Sequence, residues 1–207
     1  MQTFIQKTFN IPELKGISTK NIEEHLKLYA GYVTHTNLVL EKINELSKTP
    51  DVKGSPTSGV ESVMALLSGL QKRFGFEYNG MRNHEIYFSS LSGKANILKE
   101  NSELKKTIIL EWGSFEKWLQ LFKAIATTRG IGWAMLYFDR KENRLLNAWV
   151  DEQHLGQLQD CTLVFALDMW EHSYIIDHQP SGKKQYIEDF FANLNWEVIE
   201  ENFKKVQ

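Results

Sequence analysis

Leu163-Val164-Phe165-Ala166-Leu167-Asp168-Met169-Trp170-Glu171-His172-Ser173-Tyr174 is the stretch on which the rest of the chain depends. The run Leu163–Leu167 is continuously apolar and reads as a buried strand. It delivers two metal-ligand types, Asp168 and His172, spaced i, i+4. A helical turn at the end of the strand would point both to one side. Buried charge needs a partner or a metal. An Asp–His hydrogen bond capping a helix would satisfy the bare spacing as well.

Upstream, residues 1–17 read as an extended arm. Ser18 caps a helix running to about Leu46, with Ile17 and Ile22 at the hydrophobic-staple spacing. His25, Tyr29 and Tyr32 share one face of it. Residues 49–59 form a turn-rich loop. Apolar residues then recur at helical spacing from Val60 to about Phe76. A further helix after Gly80 carries Asn83 and His84 and ends at Ser90 to Gly93. Leu98–Glu111 and Ser114–Thr128 read as two helices broken at Trp112-Gly113-Ser114. Ile131–Phe138 and Arg144–Val150 form a hairpin about the polar turn Asp139–Asn143. Asp151–Asp160 is a loop before the third strand. Helices are expected from Glu171, Lys183 and Glu197. The layout is α+β: an N-terminal helical hairpin domain, 1–93, followed by an α/β domain, 94–207, with a three-stranded antiparallel sheet.

The 207 residues carry a net charge of −2, which gives no reason to expect nucleic acid or an acidic membrane as a partner. The single Cys161 excludes an internal disulfide framework and suits a reducing compartment. The N-terminus lacks a signal-peptide layout, and no apolar run approaches a membrane span. A cytoplasmic protein is expected.

Asp168-Met-Trp-Glu-His-Ser-Tyr174 resembles the D-x-W-E-H-x-Y signature of the iron/manganese superoxide dismutases. The resemblance extends nearly end to end. Ile17-Ser18 with Ile22-Glu23-x-His25 is similar to that family's first helix, and Asn83-His84 to its second ligand helix. Trp112-Gly113-Ser114-Phe115, Gly130-x-Gly132-Trp133-Ala134 and Asn195-Trp196 match further strings. The resemblance implies one iron or manganese ion per subunit, held by His25, His84, Asp168 and His172 with one solvent molecule. It implies disproportionation of superoxide to dioxygen and hydrogen peroxide by a metal cycling between M(III) and M(II). Imidazoles with one carboxylate suit either ion in both states.

Further roles follow from the same resemblance. Tyr32 matches the gateway tyrosine. Gln153 or its neighbour His154 would hydrogen-bond the metal's solvent. Gly80 stands where some members carry a glutamine, four residues before the second histidine, which resembles the manganese-type arrangement and favours manganese. Trp170 would wall the site, and Trp133 would be core or pocket wall. Glu171 and Tyr174 would reach toward a second subunit, implying a homodimer; whether dimers pair into tetramers is open. The His25-to-Tyr32 segment is one residue shorter than the family pattern. A gap-free register would put Glu24 at the ligand position, but the Ile-Glu-x-His string favours His25. Tyr29 stands in place of a family histidine, so a Tyr29–Tyr174 contact across the interface would replace the usual link. His35 and His178 match nothing and are expected at the surface. The rival reading is a metal-free relative acting as a binding or scaffold module. A carboxylate-bridged two-metal oxidase would need Glu-x-x-His pairs that neither His84 nor His172 has.

Overall fold

A computed structural model describes residues 2–48 and 58–207. Two long helices, α1 (Thr19–Leu46) and α2 (Ser58–Leu91), pack against each other. Two shorter helices follow, α3 (Glu103–Trp112) and α4 (Phe115–Ala126). Then come β1 (Gly132–Asp139), β2 (Arg144–Asp151) and β3 (Cys161–Asp168), and finally α5 (Lys183–Ala192) and α6 (Trp196–Val206). The sheet is antiparallel with order β2-β1-β3, so β1 is central. Seven of the eight β1 residues, Gly132 to Phe138, are buried, as a central strand covered on both faces requires. The architecture is the expected one, a helical N-terminal half and an α/β half.

The caps fall where side-chain chemistry puts them. Ser18 Oγ accepts from Asn21 N at 3.1 Å, with Ile17 and Ile22 buried on either side. Ser102 and Ser114 cap α3 and α4 in the same way, and Gly113 ends α3 in the left-handed region at φ 82°. Ser18→Ala removes the first acceptor, and about 1 kcal/mol of stability should go with it in a chemical-denaturation titration.

Several boundaries differ from expectation. The two helices anticipated around Phe76 and Gly80 are one continuous helix, α2. Gly75 and Gly80 lower its intrinsic propensity, but packing on α1 overrides this, and the Tyr32 ring lies directly over Gly80. Helix α3 starts at Glu103 rather than Leu98, because Ser102 supplies the cap and Glu200 accepts from the free amides of Glu103 and Leu104. The helix expected from Glu171 is only a 3-10 turn, Glu171–Ser173. The loop expected at 49–59 lies outside the described residues except for Ser58 and Gly59, which already belong to α2.

The arm ahead of α1 is tied down along its length. Asn37 exchanges hydrogen bonds with both Phe4 N and Phe4 O. Lys7 N donates to the Tyr29 hydroxyl at 2.9 Å, and Gly93 N donates to Asn10 O. His178, expected at the surface, is largely covered. Its Nε2 lies 3.0 Å from Gly16 O and 3.3 Å from Asp189 Oδ2, pinning the end of the arm to α5. His35 is exposed, as expected. Among the described residues no helix is long and apolar enough to cross a membrane.

Candidate metal centre

Strand β3 pairs with β1 so that Asp168 lies opposite Trp133. Asp168 is the last strand residue, not the start of a helix. The chain then tucks back: Trp170 N donates to Asp168 Oδ1 at 2.8 Å, and Ser173 Oγ donates to Asp168 O at 3.1 Å. This short turn, rather than an α-helical one, brings His172 round to the carboxylate. Helices α1 and α2 supply the other two groups. His25 Nε2, His84 Nε2 and His172 Nε2 stand 3.2, 3.5 and 3.1 Å from the one oxygen Asp168 Oδ2. All four potential ligand atoms lie within 4.8 Å of one another. His25, His84 and Asp168 are fully covered; His172 is about a quarter exposed. Glu24 lies outside this cluster, exposed and paired with Lys27.

The hydrogen bonds identify the protonation pattern at His84. Its Nδ1 lies 2.6 Å from the carbonyl oxygen of Gly80, so Nδ1 carries the proton and donates. Its Nε2 is then a lone pair. It is buried, has no hydrogen-bond partner and faces the Asp168 carboxylate. Two acceptors aimed at each other in a dry interior are a costly arrangement that a cation between them relieves. With two further imidazoles and one carboxylate, the donor set fits a first-row metal ion such as iron or manganese.

Burial pushes His84 down to about 3, with the positive charge of His25 adding to the effect. Burial also lowers His25, against the pull of Asp168. Burial alone would raise the Asp168 carboxyl, but His172 and His25 override it and hold the group well below its ordinary 3.8. His25 and His84 are therefore neutral imidazoles beside a carboxylate at neutral pH. Below the ordinary histidine value of 6.5 the unfolded chain takes up protons that folded His25 and His84 refuse, so stability falls as pH drops from there. For His84 the loss continues down to about 3, at about 1 kcal/mol per pH unit. The depressed Asp168 adds a further loss below 3.8. Chemical denaturation of metal-free protein at pH 7, 6, 5 and 4 should show this slope, and a flat profile would contradict it.

A second layer orients the first. Trp133 Nε1 can only donate, and it donates to Gln153 Oε1 at 3.0 Å. This fixes the Gln153 amide so that Nε2 donates to the Tyr32 hydroxyl at 2.9 Å. The Gln153 backbone carbonyl accepts from Nδ2 of Asn83, the neighbour of His84. Gln153 is fully buried. His154 does not join this chain; its ring packs against Phe76 and Gly75. The Tyr32 ring lies 5.0 Å from that of His84, and Trp133 meets His84 edge-on at 5.1 Å. Burial, then the negative charges of Asp168 and Glu77, push the Tyr32 hydroxyl far above its ordinary value. A cleft of about 390 Å³ opens beside Tyr32, with Leu28, Arg73, Phe76 and Glu77 in its walls. A larger cavity of about 430 Å³ lies between α3 and α6, away from the histidines.

Trp170 walls the centre, its ring stacked 5.8 Å from that of His172 and its Nε1 donating to Glu152 O. Glu171 is exposed. Tyr174 is nearly buried within its own chain, its ring 5.4 Å from Tyr186. Tyr29 corrects an expectation. It is fully buried behind His84 and Phe88, and its hydroxyl accepts from Lys7 N and donates to Glu85 Oε1 at 3.3 Å. It cannot reach a tyrosine across an interface. Leu28, one turn before Tyr32 on the helix, is exposed and lines the same cleft.

Phe76 and Glu77 were not anticipated. The Phe76 ring lies about equally far from those of Tyr32, His154 and Trp170, and buried Glu77 pairs with Arg73 at the cleft. Phe76, Gly80 and His84 recur every four residues, a signal readable only once α2 is taken as unbroken.

Residues 100–202 match the model of the iron/manganese superoxide dismutase C-terminal domain. The chain is 32% identical to an iron superoxide dismutase of Cupriavidus metallidurans, over 89% of this chain and 87% of that protein. It is 31% identical to an iron superoxide dismutase of Aquifex aeolicus, over 93% and 86%. A mitochondrial manganese superoxide dismutase of Glossina morsitans morsitans is 29% identical, over 92% and 83%. With the three imidazoles and the carboxylate gathered at one point and likeness at this level along most of its length, the chain belongs to the iron/manganese superoxide dismutase family.

Proposed function

We propose that the protein is a superoxide dismutase, converting two superoxide ions and two protons to dioxygen and hydrogen peroxide. The carrying observation is the lone pair of His84 Nε2 aimed at Asp168 Oδ2, with His25 and His172 completing the set. These four residues would hold one iron or manganese ion, which when bound supplies the one-electron couple. The remaining chemistry belongs to the chain. Tyr32 OH accepts from Gln153, so its own proton is free to point into the cleft. Because its hydroxyl is held far above its ordinary value, it keeps that proton at neutral pH and can donate a hydrogen bond to an anion entering there. Trp133 keeps Gln153 from turning over. Aromatic walls from Phe76, Trp133 and Trp170 exclude bulk water.

Manganese is favoured over iron by Gly80, which leaves Gln153 as the glutamine of the site. The relatives named above include both iron and manganese proteins. Glu171, exposed beside His172, supports a homodimer with the centres near its interface. Residues 1–93 and 94–207 are read as two domains sharing the centre, in a cytoplasmic protein.

The test is metal content of the purified protein by mass spectrometry, with superoxide consumption after separate loading with iron and manganese. About one ion per chain and rapid consumption with at least one metal is the expected result. No uptake and no consumption with either would overturn the reading and leave a metal-free binding module.

A further inference from the structure

His25 and His84 differ in how their outward nitrogens are held. Each has a residue four positions earlier on its helix, and in a helix the side chain leans back over that turn. For His84 that residue is Gly80, and the backbone carbonyl takes the Nδ1 proton at 2.6 Å. For His25 it is Asn21. His25 Nδ1 is buried with no hydrogen-bond partner, and so are both Oδ1 and Nδ2 of Asn21. Both residues are about 1% exposed. Three orphaned polar atoms one helical turn apart are far from the rule for buried groups. The last torsion of an asparagine side chain is broad, so turning its amide costs little.

We propose that Asn21 is the positioning residue for His25, its side-chain amide serving as the hydrogen-bond partner of His25 Nδ1. The proposal rests on His25 being a metal ligand. An amide suits this place because it both donates and accepts. With a cation at Nε2, Nδ1 carries the proton and donates to Asn21 Oδ1. Without one, Nε2 donates to Asp168 Oδ2, 3.2 Å away, and Nδ1 accepts from Asn21 Nδ2. The same side chain, turned over, satisfies both tautomers. Partners of this kind fix ring orientation and raise ligand basicity.

Manganese-loaded wild-type protein, N21L and N21T would be compared for release of metal into excess chelator. Leucine keeps the volume and loses both polar functions; threonine keeps a hydroxyl that donates and accepts. N21L is expected to release manganese about tenfold faster than wild type, and N21T to fall closer to wild type than to N21L. A second readout uses protein loaded with diamagnetic zinc. There the His25 Nδ1 proton should give a slowly exchanging low-field resonance in wild type and N21T that N21L lacks. Equal release by wild type and N21L, release by N21T as fast as by N21L, or no such resonance in wild type would each overturn the proposal. Failure of the wild-type protein to take up any metal would instead overturn the functional reading, and this proposal with it.

Discussion

Asp168→Asn is expected to leave the centre without metal. Purified D168N should hold less than about a hundredth of the wild-type iron or manganese, and superoxide consumption should fall at least as far; loss of a mere supporting contact already costs about 10- to 100-fold. Oδ2 of Asp168 is the one atom that all three imidazoles approach, and its carboxylate is the one negative charge in the set. An amide removes that charge and can place an N–H opposite His84 Nε2, giving the orphaned lone pair a hydrogen bond instead of a cation. The fold should survive, because the Ser173 bond to the Asp168 carbonyl and the ladder between β1 and β3 use backbone groups of residue 168. Mass spectrometry, an activity assay and circular dichroism read the three quantities together. Wild-type metal content in a folded D168N would remove Asp168 from the centre.

Gly80→Ala should damage the site by a different route. A Cβ at residue 80 would lie 2.5 Å from Cδ1 and Cε1 of Tyr32. The ring has little room to yield, since its hydroxyl is held by Gln153 and its faces by His84 and Phe76. Overpacking of this kind costs about 1–3 kcal/mol. Displacing the hydroxyl from the cleft should lower turnover by up to about a hundredfold, the low end of what a positioned proton donor contributes. Tyr32→Phe provides the control: it should lose turnover with little change in stability and keep its metal. A G80A protein with wild-type stability and turnover would show that Tyr32 is free to move away.

The contrast between these two residues marks what sequence reading reaches. Asp168 and His172 stand four apart in one string, and side-chain chemistry alone makes them conspicuous. Gly80 reads as a helix breaker in isolation, and only the ring of Tyr32, 48 positions away by their residue numbers, explains it. The same local signal split α2 in two and hid Phe76 and Glu77, because propensity is local while packing against α1 is not. The sheet was legible within a residue or two at its ends, since an apolar run such as Leu163–Leu167, bounded by polar segments, is too short for a helix and long enough for a strand. Tyr29 was misplaced for a geometric reason. Its position on the His25 face is correct, but that face turns toward Phe9 and Glu85 of its own chain, and no periodicity in α1 reveals where the arm lies.

His25 and Asp168 meet across a separation of 143 residues. During synthesis, at roughly 5–20 residues per second, the first histidine therefore waits roughly 7–29 s before its carboxylate has been made. The nascent helical pair offers His25 and His84 without the Asp168 carboxylate that completes the cluster. The four-group cluster is complete only once β3 has paired with β1.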